Sequence, residues 1–248
     1  MQKYGQHFLA NAGVADKIIS AVKDNLFAAL VEIGPGKGFL TARLRGLAPR
    51  FAAVEIDPEM VSYLKQNFKN IEIINKDFLS FDLSSLPREK TTFVSNLPYI
   101  DAAEILLKTL EYEYFESAVF MFQREQAARI LAKPKTTPYG PLSVLAQTLA
   151  DVKSLFRVSA GSFNPPPKVE SEVLLFKKKA DADKDYFKLK ELVKKAFAYK
   201  RKNIFNSLLL GGVDGEILFA RLKELKIPVS ARAEELDKTD YQNLIDIL

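Results

Sequence analysis

The stretch Ala29-Leu30-Val31-Glu32-Ile33-Gly34-Pro35-Gly36-Lys37-Gly38 sets a mostly apolar run of strand length against a turn with glycine at every second position. A short apolar run that ends at a turn signal reads as a buried strand. Residues 40–47 beyond the turn have helical spacing, so the unit is strand, tight turn, helix. Glycines admit backbone conformations closed to other residues and let a ligand come close to the main chain. The spacing here is Gly-x-Gly-x-Gly. A dinucleotide fingerprint needs Gly-x-Gly-x-x-Gly, and the residue at its third glycine position is Phe39. Pro35 also removes an N–H that a pyrophosphate would use. The turn suits a cofactor without phosphates better than a nicotinamide dinucleotide, although a plain tight turn carries the same glycines.

The pattern extends in both directions from this unit. Strands are expected at 51–55, 71–74, 93–95 and 118–122, and helices at 14–22, 58–68, 102–110 and 124–131. Pro58 stands at the first helical position, where its missing N–H costs nothing. Alternating strands and helices predict an α/β fold, a mostly parallel sheet covered on both faces. The rhythm then changes. A helix is expected over 142–149, and strands over 153–158 and 172–176 flank Pro165-Pro166-Pro167 as an antiparallel edge hairpin. After Lys177-Lys178-Lys179 the periodicity is helical at 186–198, 204–210, 216–225 and 241–248. Two domains are expected, 1–180 and 181–248, with the boundary in the charged stretch 180–184.

Composition narrows the chemistry. The chain has 248 residues, no cysteine and one histidine, His7. Thiolate nucleophiles, disulfides and Cys/His zinc sites are excluded, and no Gly-x-Ser-x-Gly elbow is present. Catalysis by positioning a reactive cofactor is the expectation. The formal charge of +5 suits a nucleic-acid partner without requiring one. No apolar run is long enough to span a bilayer, and Met1-Gln2-Lys3-Tyr4-Gly5-Gln6 lacks a signal peptide's apolar stretch, so a cytoplasmic protein is expected.

Candidate site residues sit at consecutive strand ends, where open α/β sheets bind ligands. Glu55 ends the second strand, about twenty residues past the glycine turn, where a carboxylate can accept both hydroxyls of a ribose. Asp77 ends the third, where it can accept from an adenine amine. The fourth runs into Asn96-Leu97-Pro98-Tyr99. The Asn96 side-chain oxygen and the Leu97 carbonyl, freed by the following proline, can together hold a planar amine. Tyr99 offers a ring on which a base can stack. Each feature alone is also met as a capped strand end or a proline turn; their order along the chain is what distinguishes them.

With these motifs the chain resembles the small-subunit ribosomal RNA adenine dimethyltransferases. The resemblance spans Tyr4-Gly5-Gln6-His7-Phe8-Leu9, the glycine turn, Glu55-Ile56-Asp57, Asp77-Phe78-Leu79 and Asn96-Leu97-Pro98-Tyr99. It continues through Phe122-Gln123-Arg124-Glu125, Tyr139-Gly140-Pro141-Leu142-Ser143-Val144 and Phe163-Asn164-Pro165-Pro166-Pro167-Lys168-Val169 into the helical tail. It implies a Rossmann-like class I methyltransferase sheet with a small C-terminal all-helical domain. It implies S-adenosylmethionine as cofactor, contacted by His7, Leu9, Gly34, Gly36, Glu55, Asp77 and Asn96. Asn96, Leu97 and Tyr99 would handle the target amine, and Phe163 would stack on the far face of the base. The implied partner is ribosomal RNA of an immature small subunit, and a monomer is expected. Lys194, Lys195, Lys200, Arg201 and Lys202, with Phe197 and Tyr199 interleaved, form a basic stretch that suits RNA phosphates, although a solvated helix face carries the same charges. The sister family that methylates large-subunit RNA usually has isoleucine at the Leu97 position and lacks the 139–144 segment. A mainly non-catalytic ribosome-assembly factor is the other alternative. The chain departs from the family pattern at Ile100-Asp101-Ala102-Ala103, where Asn-Ile-Ser-Thr is frequent, and at His7, where asparagine is commoner.

Overall fold

The computed structural model describes residues 7–180 and 185–248. The Tyr4-Gly5-Gln6 part of the N-terminal motif and most of the expected boundary at 180–184 lie outside the described residues. The chain enters through β1 (Phe8–Leu9) and α1 (Ala12–Lys23), whose first turn is capped by the Asn11 side chain accepting from the Val14 N–H. Next come β2 (Ala29–Ile33), α2 (Thr41–Leu44), β3 (Arg50–Glu55) and α3 (Pro58–Asn67). The expected helix over 40–47 shrinks to the single turn of α2. Arg45 leaves helical geometry, and Gly46 takes a positive φ of 82° that ends it. Then follow β4 (Glu72–Asn75), β5 (Thr91–Asn96), α4 (Ala102–Leu110), β6 (Phe115–Gln123), α5 (Arg124–Leu131) and α6 (Pro141–Leu149). The late strands are β7 (Ala150–Val158), β8 (Phe163–Asn164) and β9 (Ser171–Lys178). The tail is α7 (Tyr186–Phe197), α8 (Ile204–Leu210), α9 (Gly215–Glu224) and α10 (Lys238–Asn243).

One seven-stranded sheet has the order β4-β3-β2-β5-β6-β9-β7. The pairs β2–β3, β2–β5, β3–β4 and β5–β6 are parallel, and β9 runs antiparallel to β6. Of the late strands, β7 and β9 are hydrogen-bonded neighbours at the end of the sheet, with β9 on the inner side and β7 outermost. β2 is buried at every position, the reason its sequence is nearly continuous in apolar residues and not alternating. Phe120 and Phe122 of β6 pack on Phe176 of β9 with ring centres 6.1 and 6.0 Å apart, which ties the antiparallel strand to the parallel core. Burying each such side chain stabilises the fold by roughly 1.5–3 kcal/mol. A separate two-stranded ribbon pairs β1 with β8, Leu9 opposite Phe163.

Packing divides the chain into two units. One runs through Ala127 and resumes at Val152–Lys178; the other takes Ala128–Asp151 and the chain from Lys179 onward. The helical unit is therefore larger than the 181–248 tail expected from the sequence, because 128–151 is built into it. Leu142, Val144, Leu145, Ala146 and Leu149 of α6 are buried, and α6 contacts α7 and α10. Tyr139 donates its hydroxyl to the Leu236 carbonyl at 2.9 Å. α10 begins earlier than the expected 241–248 helix because Asp237 and Asp240 form a reciprocal capping box. No helix among the described residues is long and apolar enough to cross a membrane.

Candidate active site

The chain winds outward from β2 through β3 to β4 and returns to the other side of β2 as β5. That reversal is the switch point at which the loops beyond the strand carboxyl ends separate and leave a crevice. A cavity of about 510 Å³ lies there, lined by His7 to Ala10, the glycine turn, the ends of β3 and β4, and Asn96 to Asp101. The Ser95 hydroxyl donates to the Ile33 carbonyl at 2.6 Å and fixes the end of β5 against the end of β2.

The turn is held in shape by Glu55. Gly36 N–H donates to Glu55 Oε2 at 2.9 Å, and Asp57 N–H donates to Oε1 at 3.0 Å. Gly36 has φ 54°, and a Cβ there would lie 2.8 Å from the Phe8 ring, so only glycine fits. Gly34 also has positive φ, 64°, but nothing stands within 4 Å of where its Cβ would be. Its backbone is thus open to a ligand. Glu55 is 2% exposed, and burial raises its pKa against the opposing pull of the Asp57 and Gly36 hydrogen bonds. A carboxylate oxygen that accepts one N–H retains a further lone pair for a ligand hydroxyl. The sequence pointed to Glu55 as a ligand group and gave no sign of this second role.

Glu32 is an unexpected member of the wall. It is 2% exposed, accepts the Thr41 hydroxyl at 2.6 Å, and has its pKa pushed up to about 8 by burial, with the Glu55 charge adding and Thr41 opposing. The folded state therefore holds a proton that the unfolded chain releases near the ordinary carboxylate value. Stability from this group is fully present below about pH 4.5 and is lost as pH rises through about 8, with a slope of at most about 1.4 kcal/mol per pH unit. Glu32→Gln is expected to flatten this decline. Urea titrations across that pH range check it, and a slope as steep as the parent's would contradict the assignment.

Asp77 accepts the Leu79 N–H at 3.0 Å, and Lys108 of α4 donates to the Leu79 and Phe81 carbonyls, both at 2.6 Å. Lys108 thereby clamps the loop that carries Asp77. Ile56 and Phe78 also line the cavity, the first 43% exposed and the second 4%. Both follow an acidic strand end directly, and that apolar-after-acid spacing is the sequence signal that could have found them.

Asn96, Leu97 and Tyr99 meet on the β5 side. Asn96 Nδ2 donates to the His7 carbonyl at 3.0 Å. The nitrogen is committed, so Oδ1 is the atom left to accept; the assignment follows from the carbonyl partner. Leu97 is 2% exposed and donates its N–H to the Met121 carbonyl at 3.3 Å. The Tyr99 ring stacks on His7 with centres 5.5 Å apart and planes 29° apart. His7 in turn hydrogen-bonds through Nδ1 to the Pro165 carbonyl at 2.8 Å. His7, Leu9, Gly34, Gly36, Glu55, Asp77, Asn96, Leu97 and Tyr99 all line the one cavity. Phe163 does not. It is 4% exposed within the apolar core that includes Leu9, Val158 and Val173, and its neighbour Asn164 reaches the cavity instead. The β1–β8 ribbon sets Phe163 opposite Leu9, beside the cavity and not in its lining.

In the helical unit, Lys194, Lys200, Arg201 and Lys202 are exposed. Lys195 is different: its Nζ lies 2.9 Å from Glu191, and its stem packs where a Cβ on Gly211 would fall. Phe197 stacks on Tyr241 at 6.0 Å and is spent on packing, whereas Tyr199 is 42% exposed.

An acceptor amide one cavity away from two strand-end acids, at the switch point of this strand order, places the chain among the class I methyltransferases. A solved dimethyladenosine transferase from Plasmodium falciparum has the same fold, with a TM-score of 0.84, 26% identity and 96% of each chain covered. The chain belongs to the ribosomal RNA adenine dimethylase family, whose model matches residues 1–248. The ribosomal RNA small subunit methyltransferase A of Malacoplasma penetrans is 39% identical over 209 residues, 84% of this chain and 77% of that one. The 23S rRNA methyltransferase ErmE is similar at a TM-score of 0.71 and 26% identity, over 97% of this chain and 99% of that one.

Proposed function

We propose that this protein transfers methyl groups from S-adenosylmethionine to the exocyclic amines of two adjacent adenosines near the 3′ end of small-subunit ribosomal RNA, giving N6,N6-dimethyladenosine in the immature subunit. The observation that carries the reading is Asn96, whose amide nitrogen is tied to the His7 carbonyl and whose oxygen is free to accept at the cavity wall. The small subunit is favoured by the relative at 39% identity, named for that subunit.

The cavity fits the cofactor. Its volume, about 510 Å³, falls in the ordinary range for small-molecule sites, roughly 300–1,000 Å³. Glu55 would take the ribose hydroxyls and Asp77 the adenine amine, with Ile56 and Phe78 supplying apolar contact. Gly34, Gly36, His7 and Leu9 would line the remainder. When bound, S-adenosylmethionine supplies a methyl group already activated on a sulfonium sulfur. The protein's task is alignment. In the first transfer Asn96 Oδ1 and the Leu97 carbonyl accept the two protons of the target amine and turn its lone pair toward the methyl; in the second, the monomethylated amine has one proton left for this pair of acceptors. These hydrogen bonds strengthen as positive charge builds on that nitrogen. Tyr99, braced by His7, offers the stacking face for an adenine that has left its helix. The proton shed afterwards can pass to water.

RNA phosphates are assigned to the exposed cations Lys194, Lys200, Arg201 and Lys202. Removing charge at Lys200, Arg201 and Lys202 together is expected to flatten the salt dependence of RNA binding. Each lost phosphate contact lowers the slope of log affinity against log salt by about 0.7–0.9. Filter binding over a salt series reads this, and an unaltered slope would show that the stretch faces away from RNA. The substrate assignment is tested with a labelled methyl donor offered to undermethylated small subunits and to large-subunit RNA in parallel. Label is expected in the small subunit; label confined to large-subunit RNA would overturn the reading.

A further inference from the structure

Ile100 follows Tyr99 at the rim of the cavity and is 83% exposed, more than any other large apolar side chain among the described residues. Its mounting is firm. On one side the Leu97 N–H donates to the Met121 carbonyl at 3.3 Å, and the Tyr99 carbonyl accepts Gln126 Nε2 at 3.0 Å. On the other, the Asp101 carbonyl accepts the Ile105 N–H at 2.9 Å as the first bond of α4. The Tyr99 hydroxyl lies 3.4 Å from that of Ser171. A β-branched side chain has few rotamers, so Ile100 projects from this turn as a stiff apolar peg.

An adenosine reaches the cavity only by leaving its stack, and its departure opens a gap between the neighbouring bases. Isoleucine, leucine, phenylalanine and methionine are the residues that proteins insert into such openings. We propose that Ile100 is a wedge that fills the base step vacated by the target adenosine, holding the flipped state open while Asn96 and Leu97 engage the amine. The proposal rests on the ribosomal RNA reading above. It gives the exposed isoleucine one occupant, the RNA base next to the target. It makes Ile100 a positioning residue, since it touches neither the reacting nitrogen nor the methyl group.

The test compares single-turnover methylation of two acceptors. One is a small subunit with its natural 3′ RNA segment; the other is reconstituted with a single target adenosine between two abasic nucleotides, so that no stack must be opened. Ile100→Ser is expected to lower the ratio of the natural rate to the abasic-flanked rate by about tenfold or more, and Ile100→Met to restore it. Equal losses on both acceptors would mean that Ile100 serves the cavity or a protein contact, and no loss on either would mean that it serves neither; both overturn the wedge. A parent enzyme that methylates neither acceptor would instead overturn the ribosomal RNA reading itself.

Discussion

Asn96→Ala is expected to slow methyl transfer about a hundredfold to a thousandfold in single turnovers at saturating cofactor and RNA. Removing one donor or acceptor that acts mainly in the transition state costs roughly 2.7–4 kcal/mol, and each 1.36 kcal/mol is a factor of ten. RNA affinity is expected to stay close to that of the parent, because phosphate contacts dominate it. The substitution also frees the His7 carbonyl, which now accepts from Asn96 Nδ2 at 3.0 Å. Asn96→Asp separates the two roles: it keeps an acceptor for the amine and loses the donor to His7. A smaller loss in the aspartate variant assigns the effect to the amine, whereas equal losses assign it to the anchoring of His7. Tyr99→Phe should be mild, since stacking survives, while Tyr99→Ala weakens capture of the base.

The acids come second in expected effect. Asp77→Ala removes one charge-assisted acceptor, worth about 1.5–3 kcal/mol, or roughly tenfold to 150-fold in cofactor affinity. Glu55→Ala is expected to lose more, because the same carboxylate holds the Gly36 and Asp57 N–H groups and hence the shape of the turn. Calorimetry with S-adenosylmethionine measures both, and thermal melts separate lost affinity from lost fold. Parental affinity in both variants would remove the two acids from the cofactor site.

The parts legible in the sequence were those governed by local chemistry. The run from Ala29 to Ile33, the glycine turn and the acids at strand ends are short-range signals, and the cavity brings Glu55, Asp77 and Asn96 to one place as that order implies. Pairing and burial over long separations were not legible. The ribbon between β1 and β8 has two residues per strand, too few for any periodicity, yet it sets both the wall at Leu9 and the place of Phe163 beside the cavity. The place of β9 between β6 and β7 depends on Phe120, Phe122 and Phe176 meeting in space, not on the proline run that separates the late strands. Glu32 read simply as part of a buried strand; its raised pKa comes from total burial beside Thr41 and Glu55, which no spacing reveals. The apolar pattern of α6 looked like one more helix of the sheet domain, but its face is complementary to α7 and α10.

The chemistry proposed for the cavity can be read from its product. Small subunits methylated with an isotopically labelled donor would be digested, and the modified nucleoside identified and mapped by mass spectrometry, for the parent and for Asn96→Ala in parallel. The expected result is labelled N6,N6-dimethyladenosine at two adjacent adenosines near the RNA 3′ end, nearly absent with Asn96→Ala in the same time. Label on a ring nitrogen or a ribose, or dimethyladenosine formed by Asn96→Ala at the parental rate, would contradict the assignment of Asn96 and Leu97 as the clamp on the target amine.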